Sequence, residues 1–178
     1  MTAELTPKNY LQLLGACVLG LRSLAPGRRT LQIVRSQKSE SWLVKRSDTY
    51  DAPGLLAGCP AAHAPFELAK GGRLDLFLRL RTNDKGLAEI ATYRLAVRQI
   101  PPNINNIVSL RLDKKEGQPR GDGWDPKLGD NPQHPWAHLH LNFDKSDRAN
   151  ELRIPTGEVE PIVLLMSFDH WYCNTFDV

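Results

Sequence analysis

The stretch "RLDLFLRLRTNDKGLAEIATYRLAVRQI", Arg73 to Ile100, decides the fold. Leu74, Leu76, Leu78 and Leu80 recur at every second position, and Arg73, Asp75, Phe77, Arg79 and Arg81 fill the alternate ones. A period of two marks a β-strand, whose successive side chains leave on opposite faces. "TNDKG" supplies turn residues, and Ala91, Tyr93, Leu95 and Val97 then alternate with Arg94 and Arg98 on the way back. The stretch predicts an antiparallel pair with one apolar face that needs cover and one arginine-bearing face turned away from the core.

Working outward, "TPKNYLQLLGACVLGLRSLA" opens with Thr6 as N-cap and Pro7 at the first helical position, then places Tyr10, Leu14, Cys17 and Leu21 on one side of an amphipathic helix. "TLQIVRS" and "SWLVKRS" alternate around a polar tetrad and predict a β-hairpin, so residues 1–47 read as helix plus hairpin. Residues 48–72, rich in Ala, Gly and Pro, read as an irregular connection with a short helix at "FELAK". Residues 73–178 read as a β-rich core. "IVSLRLD" and "WAHLHLNF" add two strands joined by a long 114–135 loop, "ELRIPTGE" adds a short one, and a closing helix starts at Glu160 and Pro161. That helix offers Ile162, Leu165, Met166 and Trp171 as buried candidates. The whole predicts a single α+β domain over residues 1–178: a mainly antiparallel β-sheet, an N-terminal amphipathic helix, and a C-terminal helix packed on one face.

Composition narrows the functional classes. The 178 residues are 41% apolar and 24% charged, enough for a buried core without disulfide staples. The longest apolar run, "LQLLGACVLGL", has about half of the ~20 residues that a membrane span needs. With Glu4 and Lys8 before it and no basic leader, it is also a poor secretory signal, so a cytoplasmic location is expected and a membrane partner is not. Cys17, Cys59 and Cys173 are odd in number and widely spaced, which suits reduced packing residues rather than a disulfide framework or zinc site. Net charge is only +3, but Arg22, Arg28, Arg29, Arg35, Lys38, Lys45 and Arg46 crowd the first quarter against Glu4, Glu40 and Asp48. That local field suits phosphate or an acidic protein partner. Walker loops, G-x-S-x-G elbows and H-E-x-x-H motifs do not occur.

Chemistry concentrates in "HPWAHLHLNFD", which holds His134, His138 and His140 of the five histidines. Alternation puts Ser109, Arg111 and Asp113 on one face of their strand, and Trp136, His138, His140 and Asn142 on one face of theirs. If the strands pair, Arg111 and Asp113 approach His138 and His140 across the ladder. Such a cluster can work in two ways. His138 and His140 can share a divalent metal ion with Asp113 or Asp144. Without metal or other cofactor, one imidazole can take a proton from a ribose 2′-hydroxyl, another can protonate the leaving 5′-oxygen, and Arg111 can hold the phosphate. The plain alternative makes the histidines ordinary residues of a polar strand face. Function then rests on the basic side chains, Arg28, Arg29, Arg35, Lys45, Arg46, Arg79, Arg94 and Arg98, as contacts for RNA, DNA or a protein partner.

The order R-x-D, N-P-x-H, H-x-H, carried by Arg111, Asp113, Asn131, His134, His138 and His140, resembles the TumE-type toxins of bacterial toxin–antitoxin modules over roughly the second half of the chain. That resemblance implies an endoribonuclease with a cognate protein partner and a catalytic set of Arg111, Asp113, His134, His138 and His140. The H-x-H strand followed by Asp144 also resembles, over residues 138 to 157, the metal-binding strand of cupin-like barrels.

Overall fold

The computed structural model describes residues 5–36, 40–46, 64–104, 107–114, 137–143, 152–156 and 159–178. Helix α1, Pro7–Gly20, begins where Thr6 accepts a hydrogen bond from the Asn9 amide at 3.4 Å, with Pro7 in its first turn. Its buried stripe, Tyr10, Leu14 and Val18, follows the four-residue spacing of one helix face. The helix has no basic residue in its last turn, and Arg29 serves its carboxyl end from outside: the guanidinium donates to the Leu19, Leu21 and Leu24 carbonyls at 3.0, 2.9 and 2.8 Å. Arg29 is therefore a capping residue.

Eight strands follow: β1 Gln32–Arg35, β2 Ser41–Arg46, β3 Phe66–Glu67, β4 Arg73–Thr82, β5 Ala88–Arg98, β6 Ser109–Lys114, β7 Ala137–Asn142 and β8 Leu152–Pro155. They form one antiparallel sheet in the order β1-β2-β4-β5-β6-β7-β8, with β3 paired to β4 as well. Helix α2, Pro161–Phe176, starts at Glu160, whose carboxylate accepts from the Ile162 and Val163 amides at 2.9 and 3.1 Å. The fold is α+β, with both helices against the sheet.

Both helices cover the face that carries Leu74, Leu76, Leu78 and Leu80 of β4 and Tyr93, Leu95 and Val97 of β5, which join Leu14, Val18, Leu165 and Tyr172 in one core. Polar groups tie the helices together over it. The Tyr10 hydroxyl donates to Glu160, the Ser23 amide donates to Asp169 at 2.7 Å, and Arg22 donates to the Val178 carbonyl. Burial, reinforced by the Glu160 carboxylate, pushes the Tyr10 phenol far above its ordinary range. Cys17 and Cys173 are free thiols, the first half-buried and the second buried, and burial raises the pKa of both.

Two local expectations are corrected. "FELAK" is not helical: Phe66 and Glu67 pair with Leu74 and Arg73, and Leu68 bridges to Leu24. Five residues before a Gly-Gly turn are too few to repay helix nucleation, whereas the extended chain finds ready partners. Ala25 donates to Glu67 and Ala69 to Ser23 at 3.0 and 2.8 Å, and Phe66 and Leu68 enter the core at period two. Met166, read as buried, is 60% exposed because the inward face of α2 runs through Ile162, Leu165, Phe168 and Tyr172. The 115–136 connection, residues 47–63 with His63 and Cys59, and Asp144 lie outside the described residues.

Candidate functional site

The opposite face of the sheet carries Arg111 and His140, and the backbone register brings Asp113 and His138 into line beside them. Strands β6 and β7 pair with Arg111 opposite His140 and Asp113 opposite His138, while Leu110 and Leu112 meet Leu141 and Leu139 on the helix side. Strand β5 extends both rows, with Arg94 opposite Asp113 and Ala96 opposite Arg111, and β4 completes them with Phe77 and Asp75. Two rows therefore cross the sheet: Phe77, Arg94, Asp113, His138 and Asp75, Ala96, Arg111, His140. Neighbouring members stand about 5 Å apart, one strand spacing.

Within the second row, Arg111 Nη2 approaches His140 Nε2 at 2.9 Å and Nδ1 at 3.3 Å. A guanidinium only donates, so in this contact the imidazole is the acceptor. His140 is 2% exposed. The contact orients the Arg111 guanidinium. Among the described residues no three His, Cys, Asp or Glu side chains gather as a metal site. His134 lies outside those residues, and Asp113 and His138 are placed by backbone register alone.

Asp75, two strands away, is 4% exposed and pairs with Arg98, Nε to Oδ2 at 3.3 Å. The carboxylate is enclosed while nearly half of the Arg98 side chain stays accessible, so the pair holds a guanidinium at the border of a buried surface. Asp75 was legible in the sequence as a member of the arginine-bearing face but not as their anchor. A lone acid among alternating arginines was the signal.

The basic residues do not make one surface. Arg79, Arg94 and Arg98 share the face of Arg111 by strand alternation. Lys45 shares it too but is 2% exposed, packed beside Phe77 in register. Arg35 and Arg46 emerge on the other face, where Arg35 stacks over Trp42 at 5.5 Å and Arg46 over Phe66 at 4.7 Å. Arg46 also donates to the Thr30 carbonyl at 3.2 Å, and burial beside Arg28 lowers its pKa. Arg28 is exposed and donates to the Thr30 hydroxyl at 3.1 Å. Thus Arg29, Lys45 and Arg46 have structural surroundings, and Arg94 and Arg98 flank, on the adjoining strand, the Ala96 that lies opposite Arg111.

No protein-family model, curated protein or solved structure matches the chain.

Proposed function

We propose that this chain is a cytoplasmic nucleic-acid-associated protein that engages phosphate groups, foremost those of RNA, on the sheet face opposite its helices. The observation that carries this reading is the meeting of Arg111 and His140 across β6 and β7, with Arg94 and Arg98 on the adjoining strand. Arginine forks match phosphate oxygens in pairs, and a guanidinium already oriented by a buried partner loses less freedom on binding. Affinity for a single-stranded RNA oligonucleotide should fall steeply with salt. The double variant Arg94→Gln, Arg98→Gln should flatten the log–log slope by about 0.7 per arginine removed. Salt-independent association, or a slope unchanged in the variant, would refute the reading.

A second reading, cleavage of that RNA, is favoured by the Asp113–His138 register and by the resemblance of R-x-D and H-x-H to the TumE-type toxins. In it His138 moves the proton of the attacking 2′-hydroxyl, Asp113 orients the imidazole, and His140 positions Arg111 rather than transferring a proton. His138→Ala should then lower cleavage about 10²–10⁴-fold with RNA affinity retained, and a wild-type chain that binds RNA but never cuts it leaves a binding subunit.

A further inference from the structure

A cavity of about 600 Å³ opens where β5 ends and β6 begins, bordered by Arg98, Gln99, Pro101, Pro102, Val108 and Ser109. It continues the Arg111 face, since Arg98 and Ser109 lie two residues from Ala96 and Arg111. The pocket is braced before any ligand arrives. Gln99 is held at φ 54, a left-handed conformation uncommon for a residue with a side chain. Gly72 packs beneath it, where a Cβ would stand 3.1 Å from the Arg98 and Gln99 carbonyl oxygens. The Tyr172 hydroxyl fixes that turn by donating to Gly71 at 2.8 Å. On the other wall, Asn103 donates to the Pro101 and Ile107 carbonyls at 3.1 and 2.7 Å, and Ile100 donates to Val108 at 3.0 Å. Three polar groups remain unspent among the described residues: the terminal nitrogens of Arg98, whose Nε meets Asp75, the Gln99 amide and the Ser109 hydroxyl.

We propose that this cavity is a site for one nucleotide unit, with the phosphate on Arg98 and Ser109 and the base laid against the Pro101 and Pro102 rings with its edge toward the Gln99 amide. Its volume falls in the usual small-ligand range, and a few convergent polar groups on an apolar wall are the usual composition of such sites. A guanidinium fork and a hydroxyl suit a phosphate, and an amide supplies both the donor and the acceptor that a base edge requires. The proposal rests on the phosphate-binding reading of the same face and names its terminal subsite.

The test is titration of the intact chain with AMP, read by amide chemical shifts. Shifts should centre on Arg98, Gln99 and Ser109, and adenosine or inorganic phosphate alone should each bind about tenfold or more weakly, since each supplies half of the contacts. Arg98→Gln should weaken AMP about tenfold by removing a charged donor. Because that change also strips Asp75 of its partner, Ser109→Ala and Gln99→Gly serve as variants that leave the pair intact, and each should weaken AMP several-fold. No shift at the pocket with millimolar AMP, or affinity unchanged in both of the last two variants, overturns the proposal. An RNA oligonucleotide separates this failure from that of the wider reading. A chain that takes AMP at the pocket but no RNA refutes the phosphate-binding surface, and one whose RNA affinity depends on Arg94 while AMP leaves the pocket silent refutes the subsite.

Discussion

The two faces of strand β4 are made by the same ten residues and held by different physics. Toward the helices, Leu74, Leu76, Leu78 and Leu80 are all buried among apolar neighbours. On the other side Asp75 and Phe77 are buried as well, flanked in register by Lys45, Ala96 and Arg94. One face is stabilised by removal of carbon from water, a contribution that needs no particular partner. The other holds charges in a largely closed setting, where each must be matched or the fold loses stability. Alternation in sequence distinguishes the faces, but Asp75 and Phe77 on the second are as buried as the leucines, while Arg94 is half-buried and Arg98 exposed at its border. A surface of the second kind suits recognition, because its cations are fixed before a ligand reaches them.

The largest expected effects test that β4 is buried on both sides at Leu78 and Phe77. Leu78→Ala should cost about 2–5 kcal/mol, the usual range for a leucine truncated in a close-packed core. Phe77→Ala should cost a comparable ~3–5 kcal/mol from the opposite face. Denaturant midpoints measure both, and a Phe77 variant losing under about 1 kcal/mol would mean that its face is open to water.

Next in size is the Arg111–His140 contact. Arg111→Met takes one donor away from the buried imidazole and should cost about 1–3 kcal/mol. A double-mutant cycle with His140→Phe should return a coupling energy above roughly 0.5 kcal/mol, whereas additive losses would reduce the pair to neighbours without an interaction.

The helix side has its own ionisable contact, and its sign is opposite to acid sensitivity. The folded chain keeps the Tyr10 phenol protonated well above its ordinary range, while the unfolded chain releases that proton near pH ~10. Above that pH the unfolded state binds fewer protons, so stability falls as pH rises, by up to about 1.4 kcal/mol per pH unit. Tyr10→Phe should shallow this alkaline limb in pH-dependent unfolding, leaving the part owed to the raised Cys17, Cys173 and Tyr172; a limb unchanged in the variant would belong to those groups alone. Smallest of all, Arg73→Ala breaks an exposed 3.7 Å pair with Glu67 and should change stability by no more than about 0.5 kcal/mol in the same denaturation assay.

Much of the architecture could be read directly. Thr6-Pro7 and Glu160-Pro161 mark both helix starts because capping side chains and a proline without an amide hydrogen suit the first turn. The β6–β7 alternation correctly brings Arg111 and Asp113 opposite His140 and His138, since a strand slipped by one residue would have exposed every leucine. Less legible was anything set by distant chain. Phe66 to Leu68 become extended because Ser23, Leu24 and Ala25 lie beside them, a pairing that no local propensity contains. Burial of Lys45 and His140 likewise depends on what lies over the face, while alternation specifies only which face it is. Arg29 counts toward a basic patch in the sequence and becomes a helix cap in the fold, because its reach to three carbonyls appears only once the chain has turned at Pro26 and Gly27.

The central claim, that the sheet face opposite the helices receives phosphate, is tested most directly by mapping backbone amide shifts of the intact chain on addition of a single-stranded RNA oligonucleotide. The account predicts shifts along Arg94–Arg98, Ser109–Asp113 and His138–Asn142, fading as salt rises, with α1 and α2 unmoved. Shifts confined to α1 and α2, or none at all, would contradict it.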